Sequence, residues 1–336
     1  MSILLSTPEP TRPVTPPAPV VWPEINPYDY SAQFPGLDSI LWTGWNGDTW
    51  ELWCRRPHVA RTGIALGRGM RGLDFPDVET WSSDSPALDG AAYAGYRVTS
   101  REVFLNLRVF AHTSSQDWIE WDRRFQRSFL PAQPGVRGPG RLTVVGPDGS
   151  SRFLECYPQH DGSHSFEVDP SVRGWAQYGR TLLAHRPFWT TGPQTTSSFT
   201  QGGATGFFGG QVGKAGAPFV IGGGATLGAA VINNPGDEPA WPVWKLIGPF
   251  TQVRIGTPER MTTLTVNVAA GEWLEVDTDP LAQSITDHTG QPRFPSAVTG
   301  APFVPIPPGQ NVPLVAELTG DGRIEVTLAP LYHRAW

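Results

Sequence analysis

The sequence predicts a mainly β protein: an α+β N-terminal domain with one helix on an antiparallel sheet or split barrel, then a C-terminal β-sandwich or jelly roll. Three observations predict it. Glycine and proline number 38 and 35 among 336 residues, about twice their usual combined share, and leave few uninterrupted windows for long helices. Hydrophobic residues make up 39% of the chain and include 14 tryptophans, enough to build a core and to exclude wholesale disorder. Short apolar runs punctuated by turn residues then recur from Ser39 to the end.

Residues 1–30 carry eight prolines. Such a stretch favours extended, polyproline-like structure and cannot enter a central strand. It reads either as a tail or as an arm laid across a neighbouring subunit, with Trp22 and Tyr28 as apolar anchors. From Ser39, SILWTGWNGDTWELW places apolar residues on both sides of Asn46-Gly47-Asp48, a hairpin signal. The glycine-rich GIALGRGMRGLDFP that follows has neither the phosphate-loop nor the dinucleotide spacing, so it reads as a structural turn. GYRVTSREVFLNLRVFAH (95–112) reads as strands.

One helix is expected next. Ser114 with Asp117 resembles a capping box, Trp118, Trp121, Phe125 and Phe129 follow at spacings of three and four, and Pro131 ends the run. That aromatic stripe is read as core. A second hairpin, RLTVVGPDGSSRFLECY (141–157), turns at Pro147-Asp148-Gly149. SFEVD (165–169) is expected to be a further strand, and 173–192 a long strand closed by Arg186-Pro187-Phe188-Trp189.

The Gly, Thr and Ser-rich stretch 191–218 is the candidate boundary. Three segments follow from this: a proline-rich arm (1–30), an N-terminal domain (31–196), and a glycine-rich linker leading into a C-terminal domain (197–336). In the last, AAVINN, PVWKLIGPF, TQVRIG, TLTVNVA, WLEVDT, VPLVAEL and IEVTLAPLYHRAW read as strands of a sandwich. Residues 280–311 read as a loop-heavy connection.

Global counts remove several function classes. A net charge of −6 with 17% charged residues offers no basic footprint for nucleic acid or a membrane surface. No apolar run reaches the ~20 residues of a membrane span, and the N-terminus lacks the pattern of a signal peptide. Only Cys54 and Cys156 are present; they read as free thiols, with a disulfide as the alternative. His160, Asp161 and His164 superficially resemble a metal cluster, but Gly162 argues for a turn and no third partner follows. Asp277 and Asp279 alternate around Thr278 and read as solvated carboxylates. No nucleophile elbow is found. The expectation is therefore no enzyme, no metal and no cofactor.

Four segments together resemble the distal tail protein family of long-tailed bacteriophages, the siphovirus-type tail component or phage minor tail protein. They are WELWCRRPHVARTGIALGRGMRGLDFP; DGAAYAGYRVTSREVFLNLRV; the helix followed by RLTVVGPDGSSRFLECY and RGWAQYGRTLLAHRPFWTTG; and the series INNPGDEPAWPVWKLIGP, AAGEWLEVDTDP and IPPGQNVPL. His185-Arg186 departs from the acidic residue common before the following Pro-aromatic-Trp. The resemblance implies a structural virion protein at the tail tip, a ring of six copies closed by the N-terminal domain, and a galectin-like C-terminal sandwich projecting outward. Its implied partners are the tail tube, the tape measure protein and the tail hub or other minor tail proteins of the baseplate. A different reading is a carbohydrate-binding tail module that grips host cell-wall glycans through Trp241, Trp244 or Trp273.

Overall fold

The computed structural model describes residues 37–54, 62–84, 89–111, 113–160, 166–193, 195–200, 225–226, 230–293, 295–300 and 302–336. Trp22 and Tyr28, Asp161 to Ser165, and most of the glycine-rich 201–229 lie outside the described residues. Residues 37–336 form one compact unit in which two hydrophobic clusters, one per lobe, divide the core.

The first lobe opens with the expected hairpin, β1 (Ser39–Thr43) and β2 (Thr49–Cys54). Gly47 sits at φ +80 in its turn, a conformation open to glycine at no steric cost. β3 (Thr62–Leu66) follows, then β4 (Val78–Asp84) and β5 (Ala91–Val98), then the long β6 (Arg101–Ala111). β6 alternates strictly: Val103, Leu105, Leu107 and Val109 are fully buried and their neighbours face outward, as a strand with one covered face must.

Helix α1 (Ser115–Ser128) covers that face. The Ser114 side chain accepts a hydrogen bond from the Asp117 amide at 3.0 Å, which satisfies one of the orphan donors of the first turn. The aromatic stripe is core. Phe129 stacks on Trp42 at 4.6 Å, Trp121 and Phe125 meet Trp50 edge-on at 5.2 and 5.3 Å, and Trp42 donates to Ser128 Oγ at 3.2 Å.

β7 (Gly140–Val145) and β8 (Ser151–Gln159) form the second hairpin. SFEVD does not make a strand. Its described residues, Phe166 to Asp169, lead into the short helix α2 (Pro170–Arg173). Pro170 cannot donate to a ladder and suits a helix N-terminus, where Asp169 accepts from the Ser171 amide at 2.9 Å. β9 (Trp175–Ala184) is separated by residues 185–188 from a short β10 (Trp189–Thr190), so the expected single strand over 173–192 is two. The main sheet runs β2-β1-β7-β8-β9-β6-β3, all antiparallel, and β10 joins it through β8.

The second lobe holds β11 (Thr195–Thr200), β12 (Ala225–Thr226), β13 (Ala230–Asn234), β14 (Val243–Ile247), β15 (Phe250–Gly256), β16 (Met261–Val268), β17 (Trp273–Asp277), β18 (Ser284–Asp287), β19 (Ala297–Gly300), β20 (Gly309–Thr319) and β21 (Arg323–Leu328). One sheet orders β12-β11-β21-β14-β17-β18 and the other β13-β20-β15-β16-β19. Alternate residues of both sheets, including Trp244, Leu274 and Ile324 from one and Val253, Leu264 and Ala316 from the other, share one cluster. Strands β18 and β19 lie inside 280–311, which is therefore more ordered than a loop-heavy connection. β19 is exposed throughout and β18 is only half-buried, so neither carries a buried alternation to reveal it.

The last strand, β22 (Leu331–Tyr332), returns to the first lobe and pairs with β10, Trp189 opposite Tyr332. Tyr332 and Ala335 are buried in the first lobe's cluster.

Candidate functional site

β4 and β5 form a two-stranded ribbon that pairs with no other strand among the described residues. None of their residues is buried. Thr80 and Ser82 are two apart on β4, so their partners Tyr96 and Tyr93 stand on one face. A bulge between Trp81 and Ser82 brings them there despite their odd spacing. Trp81, Tyr93 and Tyr96 are 48%, 66% and 52% exposed. A two-stranded ribbon is marginal by itself, its edges are unpaired templates, and a run of exposed aromatics marks a contact surface. The exposed Arg97–Glu79 pair at 2.8 Å adds little to its stability.

At the root of the ribbon, Arg101 is 2% exposed. Its guanidinium donates to the carbonyls of Pro187 (2.6 Å), Gly72 (2.9 Å), Asp74 and His333 (2.6 Å). Burial pushes its pKa down to about 10, which still leaves it charged at neutral pH. One side chain thus ties the loop after β3, the β9–β10 connection and the segment after β22. Gly72 completes the contact. It lies at φ +90, and a Cβ there would strike the Glu102 carbonyl oxygen.

More bonds close the same seam. Ala335 N donates to Leu73 O at 3.0 Å, and Arg152 donates to Arg334 O at 2.9 Å while its guanidinium lies 3.7 Å from the Tyr332 ring centre. His333 sits between the Phe75 and Phe188 rings. Its Nε2 is 2.8 Å from Glu238 Oε1, and its backbone amide donates to Asp237. Arg186, the departure noted in the sequence, pairs with Asp279 of the second lobe at 2.5 Å.

Three of the singled-out aromatics can be placed. Trp244 is 1% exposed and packs inside the second lobe, with no ring face to offer a ligand. Trp273 is half-buried on β17, with the Lys245 ammonium 4.6 Å from its ring centre. Trp241 lines a cavity between the lobes. Nothing brings these three into one site. His160 contacts the Phe129 carbonyl at 2.8 Å. Among the described residues no three His, Cys, Asp or Glu side chains gather as metal ligands. Cys156 is a buried free thiol whose pKa burial pushes up.

No protein-family model and no curated protein matches the sequence. Among solved structures, the Dit protein of phage SPP1, described as a paradigm of the hub adsorption apparatus in phages infecting Gram-positive bacteria, superposes with a TM-score of 0.55. The match covers 87% of this chain and 98% of that one at 14% identity. The fold is that of a phage distal tail protein. Two structures of the phage p2 baseplate in its activated conformation, with Ca and with Sr, are 10% identical over 88% of this chain and 98% and 97% of theirs. Their TM-scores of 0.44 and 0.43 are too low to carry weight.

The strands expected over 95–112 include the end of β5 and β6, but sequence reasoning missed β4, the ribbon as a surface and the Arg101 lock. TWSSD on β4 has no buried side and so no alternation. The one available signal was Tyr-x-x-Tyr (93–96) beside Trp81, an aromatic excess in a stretch with no core to fill.

Proposed function

We propose that the chain is a structural subunit of a phage tail tip, a distal tail protein. In this reading the first lobe, ending near residue 196, closes into a ring of six copies, and residues 197–336 form an outward β-sandwich of galectin-like kind. The ring joins the tail tube to the baseplate or tail-fibre hub, with the tape measure protein and other minor tail proteins as further partners and no catalysis. The observation that carries it is the distal tail fold, shared over nearly the whole chain. The ribbon supports it: each copy of a ring needs a heterologous surface, and unpaired edges with exposed aromatics supply one.

Electron microscopy of virions with the chain labelled tests it. Multiple copies in a ring at the tail tip are the expected result. A single copy, or a location along the tube or on the head, rules it out.

A further inference from the structure

A cavity of about 460 Å³ opens in the crease between the lobes, within the size range of small-molecule sites. Phe153, Phe188 and Trp241 line it together with Glu155, Arg186 and Asp279. Phe153 and Glu155 stand two apart on β8, Phe188 precedes β10, and Trp241 precedes β14. The site therefore exists only where both lobes meet.

The Arg186 and Asp279 charges match each other. Asp279 Oδ2 accepts from Arg186 at 2.5 Å, and its Oδ1 accepts from the Leu281 amide at 2.9 Å. The Asp279 amide is held in turn by Asp277 at 3.0 Å. The carboxylate is fixed, yet each oxygen keeps a further lone pair. Glu155 lies directly across the ladder from Arg141, whose guanidinium is 4.1 Å from the Phe153 ring centre. A charged ligand would have to displace the Arg186–Asp279 pair or rest on the exposed Glu155 alone. A purely apolar one would strip water from the Arg186–Asp279 pair and return nothing. A neutral polyol with an apolar ring face satisfies both halves: its C–H face lies on an indole, and its hydroxyls bond to fixed charged groups.

We propose that this crease binds a saccharide, with Trp241 as the stacking platform and Asp279, Glu155 and Arg186 as hydroxyl partners. The site is complete within one copy, so it stands apart from the assembly role. The test is calorimetric titration, with saturation-transfer NMR, of the full chain against trisaccharides of glucose, galactose and N-acetylglucosamine. At least one binds with millimolar affinity. Trp241→Ala and Asp279→Ala each weaken it by about tenfold or more, whereas Trp273→Ala, outside the cavity, leaves it unchanged. Thermal melts of each variant check that the fold is kept. Asp279, half-buried on a separate segment, covers the case in which loss of Trp241 unfolds the lobe. No binding across the panel overturns the proposal, as does binding that both cavity variants leave intact. Binding of a proline-rich peptide in the crease without any saccharide overturns it as well and assigns the crease to a protein partner.

Discussion

Arg101 ties three separate segments of the first lobe together. Its replacement by alanine leaves the carbonyls of Gly72, Asp74, Pro187 and His333 without their shared donor. The four acceptors are part-buried, so each costs only about 1 kcal/mol, the low end for an orphaned group, and Arg101→Ala destabilises by about 3–5 kcal/mol in denaturant unfolding. Arg101→Lys does not restore it, because a point-charge ammonium cannot serve a planar fork. Asp287 acts at the opposite end of the scale, on the surface. Its carboxylate accepts from the Thr289 hydroxyl and amide and from the Gln291 amide, and these bonds hold its pKa below the usual 3.8. A depressed folded-state value gives stability that is complete above the unfolded pKa and fades as the pH falls through the folded one. The stability gap between the wild type and Asp287→Ala is therefore constant above about pH 5 and closes on acidification; a gap that widens in acid contradicts this. Neither role was legible in the sequence. An arginine opening an apolar strand looks like any edge charge until residues 72, 187 and 333 are seen to converge on it.

Among the elements, those with a covered face were legible and those without were not. Helix α1 showed itself through its cap and aromatic spacing, because period and burial coincide there. The hairpins at Gly47 and Gly149, both at positive φ, showed themselves through turn chemistry. β4 and β19 are exposed throughout and β18 is only half-buried, so none leaves such a trace. Trp241 and Trp244 looked equivalent in sequence. Period two puts them on opposite sides, but whether the outer side meets solvent or a cavity is decided by Phe153 and Phe188, far away in the chain. The ribbon gives the test at this scale. A Trp81→Ser, Tyr93→Ser, Tyr96→Ser triple variant changes monomer stability by no more than about 0.5 kcal/mol per site, as exposed positions do. On the proposed ring reading it nonetheless abolishes ring formation in analytical ultracentrifugation of protein concentrated enough to assemble. Rings that persist remove the ribbon from the interface. Phe125→Ala behaves oppositely: it opens a cavity under α1 and costs about 3–5 kcal/mol.

At the scale of the whole molecule, the two lobes are not independent beads. β22 lies in the first lobe's sheet, and Tyr332 and Ala335 in its core. Truncation after Leu328 therefore damages the lobe farther away in sequence. The expected outcome in calorimetry is loss of the first lobe's transition, with the second lobe's sheets retained by circular dichroism; an unchanged first transition refutes the coupling. The mainly antiparallel layout of both lobes followed from the strand pattern, but this return did not, since LAPLYHRAW reads equally well as the closing strand of the second lobe. The pairing of Trp189 with Tyr332 also sets a timetable for biosynthesis. A ribosome adding 5–20 residues per second needs roughly 7–30 s to travel from one partner to the other. Throughout that interval the nascent first lobe carries an open strand edge and an unroofed tryptophan. In the proposed ring, a copy that has yet to make β22 would have to enter from that unfinished state.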